Sequence, residues 1–208
     1  MTGAGPPGRA GAAGPAGAVL ARDFYRRPSL EVAPDLLNKV LVRGSRSGRI
    51  VEVEAYCGAD DPASHAFRGR TARNATMFGP PGHLYVYFTY GMHFCANVVC
   101  GEEGEAGAVL LRGLTPMSGL EEMRAARPTA RRDRDLCAGP ARLCLALGID
   151  RAFDGADLVT SDAGVQVADD GVAPPAVPAA SGRIGLKVAA DRPWRLYVPG
   201  APGLSRPG

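Results

Sequence analysis

Lysine is nearly absent from this chain of 208 residues. Of its 24 basic residues only Lys39 and Lys187 are lysines, so the other 22 are arginines. The planar guanidinium group of arginine grips phosphate through two parallel hydrogen bonds, which suits a nucleic-acid backbone. A GC-rich coding bias explains the same replacement of lysine, and the many Ala, Gly and Pro residues favour that explanation. The arginine count is therefore weak support for nucleic-acid binding.

Paired cysteines are absent as well. The five cysteines form no CxxC motif, and their odd number leaves at least one thiol without a partner. This pattern argues against a disulfide framework and against a zinc site, and it favours free thiols in a reducing compartment. We expect neither a bound metal nor another cofactor.

Long apolar runs are also missing. Gly and Pro interrupt every apolar stretch near the start, and no segment has the length of a membrane span. We therefore expect a cytoplasmic protein without a secretory signal or a membrane partner. The length and the hydrophobic fraction of 46% are typical of one globular domain with a substantial core.

The two ends of the chain have the composition of tails. Residues 1–18 are almost entirely Gly, Ala and Pro, with Gly at every third position from Gly5 to Gly17. These triplets are too few to hold a collagen-like triple helix, so a disordered tail is predicted. Residues 201–208 are rich in Gly and Pro, which predicts a flexible end. The folded domain is expected to span residues 19–200.

The most informative stretch is residues 50–56, which alternates as a strand with one buried face does. Its valines are expected to point one way, and the opposite face carries Ile50, Glu52, Glu54 and Tyr56. Two carboxylates beside a tyrosine suit an acid–base role next to a flat, uncharged ring. The alternative is a solvated strand face, and for Glu52 we favour solvation over a like-charge effect on Glu54.

The loop over residues 58–82 is long for a compact domain, which makes it a functional candidate. It contains His65, followed by the closely spaced arginines Arg68, Arg70 and Arg73. A loop this basic, with small residues between its arginines, could lie along a phosphate backbone.

Strands and helices alternate irregularly along the rest of the chain. The short turn after residue 89 displays Tyr90 at an edge, where a core role is hard to assign. Strands are predicted over residues 39–42, 84–89, 93–99, 108–111, 183–186 and 194–198.

Three short helices are predicted. The first covers residues 33–37 with Pro34 in its first turn. Ser118 to Glu121 form the pattern of a capping box that opens the second. Gly139 and Pro140 open the third, which ends at Gly148, and its amino end is a candidate phosphate site together with Arg142.

Several short motifs occur in an order and at a spacing that together are highly specific. On these segments, residues 20–198 resemble the alkyladenine (3-methyladenine) DNA glycosylase family, which is unrelated to the helix–hairpin–helix glycosylases. The segments are residues 51–56 (VEVEAY), 64–65 (SH), 73–74 (RN), 77–78 (MF), 84–87 (LYVY), 90–92 (YGM), Asn97, 109–112 (VLLR), 139–140 (GP), 143–144 (LC) and 193–195 (PWR).

The resemblance implies a single α+β domain around a curved, mixed or antiparallel β-sheet, with peripheral helices and long DNA-binding loops. It also implies a monomer that excises alkylated or deaminated purines from double-stranded DNA without a metal. Such purines include 3-methyladenine, 7-methylguanine, hypoxanthine and ethenoadenine. The lesion preference within this group depends on the width of the pocket.

The resemblance also implies residue roles. Glu54 would activate the water that attacks C1′ of the flipped nucleotide, and Arg112 would steady the backbone or that water. Tyr90, with Met92 beside it, would enter the space that the base leaves. The base pocket would consist of Tyr56, His65, Tyr87 and Asn97, with Asn97 excluding the 2-amino group of normal guanine. The DNA backbone would lie against Arg68, Arg70, Arg73, Gly139 and Arg142.

The scarcity of lysine bears on this mechanism. A glycosylase that also cuts the strand uses an amine to form a Schiff base. Lys39 and Lys187 fall outside every segment that matches the family's active site, so we expect water as the nucleophile and no lyase step.

Two other function classes remain open from the sequence. A damage-binding protein would keep the pocket and the wedge without cutting, but it has no need of a carboxylate such as Glu54 beside the sugar. A module that binds RNA or single strands would use Tyr85 and Tyr87 as stacking platforms. The long loop with His65, and Tyr90 at a turn, argue against that module.

Overall fold

The structure is a computed structural model that describes residues 17–89 and 91–206. Residues 1–16 of the predicted tail lie outside this part, as do Tyr90 and residues 207–208. The strands are β1 (Ala18–Val19), β2 (Val40–Arg43), β3 (Arg46–Cys57), β4 (Leu84–Thr89), β5 (His93–Cys100), β6 (Gly107–Ser118), β7 (Val165–Asp169), β8 (Ala179–Ser181) and β9 (Arg195–Tyr197). The α-helices are α1 (Arg22–Tyr25), α2 (Ser29–Leu36), α3 (Leu120–Ala126) and α4 (Pro140–Leu147), and single 3₁₀ turns cover Gly58–Asp60, Ala75–Phe78, Asp133–Asp135 and Arg151–Phe153.

The strands form one sheet in the order β1–β7–β2–β3–β6–β5–β4, with β9 paired to β3 and β8 paired to β9. Every one of these pairings is antiparallel. β6 runs along one edge of β3, while β2 and β9 share the other edge in succession. The curled sheet with its helices confirms the predicted single α+β domain. In the described part of the chain, no helix is long and apolar enough to cross a membrane.

β3 lies at the centre of this sheet and is buried on both faces, so the prediction of one buried face was wrong. All residues from Ile50 to Ala55 are buried. The strict alternation was wrong as well, because the register with β6 shifts on both sides of Glu52, as at a β-bulge. Ile50 consequently packs in the core with Val53 and Ala55, away from the glutamates.

The predicted strands over residues 39–42, 84–89, 93–99, 108–111 and 194–198 are confirmed, with β6 much longer than expected. The strand over residues 183–186 is wrong. These residues form a turn, and β8 just before them pairs with β9 instead. The turn carries Ile184 and Leu186 over the glutamate face of β3, which is why that face is not solvated.

Of the three helix predictions, one is confirmed and two are wrong in how the helix begins. α4 begins at Pro140 and ends at Gly148, whose φ of 67° is left-handed, as predicted. Pro34 lies at the sixth position of α2, not in its first turn, because the helix already begins at Ser29. The capping box was wrong because Ser118 still belongs to β6, where its hydroxyl bonds Ser47 across the sheet at 2.7 Å.

The last described residues pack against β6. The hydroxyl of Thr115 donates to the carbonyl of Pro202 at 2.5 Å. Gly203 has a φ of +94°, and a Cβ atom there would lie 2.1 Å from the carbonyl oxygen of Leu114. Glycine is therefore needed at position 203 for both its backbone conformation and its close approach. We call residues 202–206 the C-terminal segment.

Replacing Gly203 with alanine is expected to lower the free energy of unfolding by about 2–3 kcal/mol, through strain and a backbone clash. Gly200 is the matched control, because its φ of +71° is also left-handed but a Cβ atom there would meet nothing within 4 Å. Urea denaturation of Gly203→Ala and Gly200→Ala separates the cost of the left-handed backbone from the cost of the clash. Equal losses in both variants would contradict the close approach at Gly203.

Candidate active site

Glu54 sits in the middle of β3 with a side chain that is 0% exposed. Its Oε2 accepts a hydrogen bond from the hydroxyl of Tyr56 at 2.9 Å, and its Oε1 accepts one from the backbone N–H of Ile184 at 2.7 Å. The Nη1 atom of Arg112 lies 3.3 Å from Oε1. A buried carboxylate needs partners of this number and kind, because its burial without them costs several kcal/mol.

Glu52 is fully buried too, which makes the predicted solvated side chain wrong. Its Oε1 accepts hydrogen bonds from Arg112 Nε at 3.1 Å and from Arg195 Nε at 2.8 Å. Ser205 adds a bond from its hydroxyl to Oε1 at 2.6 Å and one from its backbone N–H to Oε2 at 2.5 Å. The two carboxylates on this face of β3 are therefore matched by two guanidinium groups, those of Arg112 and Arg195, so their formal charges cancel.

The pKa of Glu52 reflects this environment. Burial raises the pKa, but the hydrogen bonds from Ser205 and Arg195 and the charge of Arg112 outweigh burial, so the net pKa lies below its ordinary value. Glu52 is consequently a fixed negative charge beside Arg112.

A cavity of about 400 Å³ opens next to this network. Its walls are mostly aromatic or small and apolar, a composition suited to a flat ring. The lining residues are Tyr56, Ala63, His65, Met77, Tyr85, Tyr87, Asn97, Ala108 and Leu186. We call this cavity the aromatic pocket.

The rings of the aromatic pocket hold one another in place. Tyr85 and Tyr87 stack with centroids 5.6 Å apart, and His65 meets Tyr87 edge-on at 4.5 Å. His65 Nδ1 lies 3.1 Å from the hydroxyl of Tyr85. Desolvation by these neighbours, followed by the charge of Arg73, lowers the pKa of His65 from 6.5, although the residue as a whole is exposed. Neutral His65 is thus the dominant form near pH 7.

Asn97 lies on β5 opposite Tyr85 of β4 and is only 4% exposed. Its Nδ2 donates to the carbonyl of Tyr85 at 3.2 Å, which fixes the amide at the wall of the aromatic pocket.

A second cavity, of about 810 Å³, adjoins the aromatic pocket, and we call it the outer cavity. It contains Glu54 and Arg112 and shares Tyr56, His65, Tyr87 and Leu186 with the aromatic pocket. The structure therefore brings together all six residues that were assigned to catalysis and to the base pocket. A ring held in the aromatic pocket would have its substituent in the outer cavity, beside Glu54.

Of the residues assigned to the DNA backbone, two line a cavity next to this site and three do not. Gly139 and Arg142, at the start of α4, line a third cavity that also contains Arg112. Arg68, Arg70 and Arg73 are exposed on the long loop and line none of these cavities. Met92 is 67% exposed in the turn between β4 and β5, while Tyr90 lies outside the described residues.

Arg183 fixes the back of the aromatic pocket and was missed by the sequence analysis. Its guanidinium group lies 4.7 Å from the ring centre of Tyr56 and 4.9 Å from that of Trp194. It forms a two-pronged ion pair with Asp61, and both side chains are fully buried. Because Ile184 follows directly, this pair also sets the position of the N–H that reaches Glu54.

Four other residues of the site were also missed, because they come from segments that were interpreted as ordinary strands or as a tail. They are Ile184, Leu186, Arg195 and Ser205. Among the residues that the structure describes, no group of three or more His, Cys, Asp or Glu side chains is arranged to hold a metal ion.

The buried Asp61–Arg183 pair is expected to stabilise the fold in a way that depends on pH. Burial raises the pKa of Asp61, but hydrogen bonds and charge from Arg183 bring it below 3.8. A carboxyl group whose pKa is lowered by folding stabilises the fold at pH values above its unfolded pKa of about 3.9. This stabilisation is lost as the pH falls through the lower pKa of the folded state.

Asp61→Asn is therefore expected to cost about 3 kcal/mol of unfolding free energy at pH 7, and less below about pH 4. Asp133→Asn is the control, since Asp133 forms a comparable two-pronged pair with Arg124 on the exposed surface. Denaturation at pH 7 and at a pH below about 4 measures how much stability each variant loses. An Asp61→Asn variant as stable as Asp133→Asn at pH 7 would contradict it.

Known proteins of similar sequence identify the family of this chain. A family described as methylpurine-DNA glycosylase matches residues 23–202. A Burkholderia lata protein named "Putative 3-methyladenine DNA glycosylase" is 60% identical, over 92% of this chain and 93% of its own. Proteins of the same name from Streptomyces avermitilis and Methanocella arvoryzae are 50% and 48% identical, over 89% and 90% of this chain and 90% and 96% of theirs. The family resemblance is confirmed, and the chain belongs to the methylpurine-DNA glycosylase family.

Proposed function

We propose that this protein is a DNA glycosylase that removes alkylated or deaminated purines from double-stranded DNA by hydrolysis. One observation carries the proposal: a fully buried carboxylate, Glu54, lines the outer cavity and is hydrogen-bonded to Tyr56, which lines both the outer cavity and the aromatic pocket. Family membership supports the enzyme class, and this geometry supports the purine substrate and the hydrolytic route.

The damaged base would have to leave the duplex to enter the aromatic pocket. That rotation costs a few kcal/mol of stacking and pairing, and the cost is lower for a damaged base. Tyr90 and Met92 are proposed to fill the gap that the base leaves in the duplex. Inside the pocket the base would stack against Tyr56 and Tyr87, with His65 and Asn97 along its edges.

Hydrolysis would then take place in the outer cavity. As the bond from the base to C1′ breaks, positive charge develops on the sugar, and ionised Glu54 stabilises that charge while it takes a proton from the attacking water. The Nη1 atom of Arg112, 3.3 Å from Oε1 of Glu54, pairs a positive charge with the carboxylate in this buried position. The sugar–phosphate backbone would pass over the start of α4, with Gly139 and Arg142 beside it and the loop arginines further along.

A damage-binding protein that does not cut is the alternative. A binder gains nothing from a buried carboxylate, whose desolvation costs several kcal/mol unless charged partners offset it. Glu54 receives two hydrogen bonds and an ion pair, which favours the enzyme. Binding of RNA or single strands has less support, because Tyr85 is only 1% exposed and cannot offer its face as an open platform.

The proposed function predicts that Glu54→Gln lowers the excision rate by about 10²- to 10⁴-fold, because the amide takes no proton and carries no charge. Duplexes with a single hypoxanthine or ethenoadenine would be incubated with excess enzyme and then treated with hot alkali, which breaks the strand at abasic sites. Glu122→Gln is the matched control, since Glu122 is exposed on α3.

Breaks with wild type and with Glu122→Gln, but not with Glu54→Gln, are the expected result. Tight binding of both duplexes without breaks would favour the damage-binding protein. Full activity of Glu54→Gln would remove the proposed role of Glu54.

The proposed enzyme is monofunctional, so no strand breaks are expected before the alkali treatment. Lys39 is engaged by Asp169 at 2.7 Å, whereas Lys187 is exposed and directly follows Leu186 at the aromatic pocket. Lys187 is thus the amine to test. Borohydride should trap no covalent complex with wild type, and Lys187→Ala should excise at the wild-type rate. A trapped complex that Lys187→Ala abolishes would instead establish a lyase step.

A further inference from the structure

The C-terminal segment reaches the charge network beneath Glu54. Ser205 donates two hydrogen bonds to Glu52, and its hydroxyl accepts one from Arg112 Nη2 at 3.3 Å. The carbonyl of Arg206 accepts a bond from Arg195 Nη2 at 3.1 Å. The segment therefore touches both arginines and one carboxylate of the network.

Every edge of the Arg112 guanidinium group has its own acceptor. Nε faces Glu52, Nη1 faces Glu54 and Nη2 faces Ser205, at 3.1, 3.3 and 3.3 Å. Three acceptors in different directions prevent rotation of the guanidinium plane. Without the Ser205 hydroxyl, Nη2 would face the third cavity, which Arg112 and Ser205 both line. Arg112 could then turn toward water and away from Glu54.

The remaining charges around the two glutamates cannot replace this contact. Glu52 is faced by Arg112 from β6 and by Arg195 from β9. The titratable and charged groups that face Glu54 are Arg112 from β6, Tyr56 from β3 itself, Tyr87 from β4, Cys95 from β5, His65 from the long loop and Arg183 from the turn. Arg183 is already paired with Asp61, so Arg112 is the cation that is directly paired with Glu54.

We propose that Ser205, acting together with Glu52, is a positioning residue that holds Arg112 against Glu54 and so keeps Glu54 ready for the reaction. The C-terminal segment, predicted from composition to be a flexible end, thereby becomes part of the active site. This inference rests on the proposed function, because it concerns the rate of the same excision.

The test compares Ser205→Ala, Ser205→Thr and the control Ser161→Ala with wild type. Ser161 carries a comparable hydroxyl bond, to Gln166 at 2.6 Å near β7, and touches none of the cavity residues. Single-turnover excision of hypoxanthine is measured from pH 5 to pH 9 (about one point per half unit, to define the acid limb). Binding to a duplex with a reduced abasic-site analogue is measured in parallel.

Ser205→Ala is expected to slow excision about tenfold with unchanged binding, since a displaced Arg112 affects the reaction and not the grip on DNA. The acid limb of its pH profile should also move, because the cation paired with Glu54 is displaced. Ser205→Thr, which retains the hydroxyl, should restore most of the rate. A purely structural defect would scale the whole pH profile without moving its acid limb.

Three outcomes would overturn the inference. The first is a Ser205→Ala variant that matches Ser161→Ala in rate and pH profile. The second is a rate that falls equally at every pH. The third is weaker DNA binding at an unchanged rate, which would show that the hydroxyl contacts DNA. The proposed function is judged separately, on wild type. If wild type excises none of the lesions, the function fails and the inference fails with it, whereas an active wild type with an unaffected Ser205→Ala rejects the inference alone.

Discussion

Two carboxylates that stand two residues apart on one strand and are both withdrawn from water set the main constraint on this structure. Each buried charge costs several kcal/mol in lost hydration unless charged partners and hydrogen bonds offset the loss. Glu52 and Glu54 obtain these partners from β6, from β9, from the turn over residues 183–186 and from the C-terminal segment. Four separate parts of the chain must therefore converge on β3 before the site can exist.

The same convergence builds the aromatic pocket. The turn that delivers the Ile184 N–H to Glu54 also places Leu186 at the pocket wall. The Asp61–Arg183 pair anchors that turn to the start of the long loop, which carries His65 to the same pocket. Binding of a flat ring and stabilisation of charge beside it thus depend on the same few contacts. Damage to one of these contacts is expected to affect both.

Much of this could be predicted because it depends on local sequence. β3 and β4 are recognisable from their residue patterns, α4 from Pro140 and Gly148, and six site residues from motifs that keep their order. The burial of Glu52 could not be predicted, because its partners Arg195 and Ser205 lie 143 and 153 positions away in the chain. The capping box failed for a similar reason, since the Ser118 hydroxyl is taken by Ser47, 71 positions away across the sheet.

The most direct measurement is a crystal structure of Glu54→Gln bound to a duplex with a single ethenoadenine. The variant is expected to hold its substrate without completing the reaction. The ethenoadenine ring is expected in the aromatic pocket, between Tyr56, His65 and Tyr87, with C1′ of its sugar in the outer cavity facing the side chain at position 54. An ethenoadenine that remains stacked in the duplex, or a sugar that faces away from position 54, would rule out the proposed site.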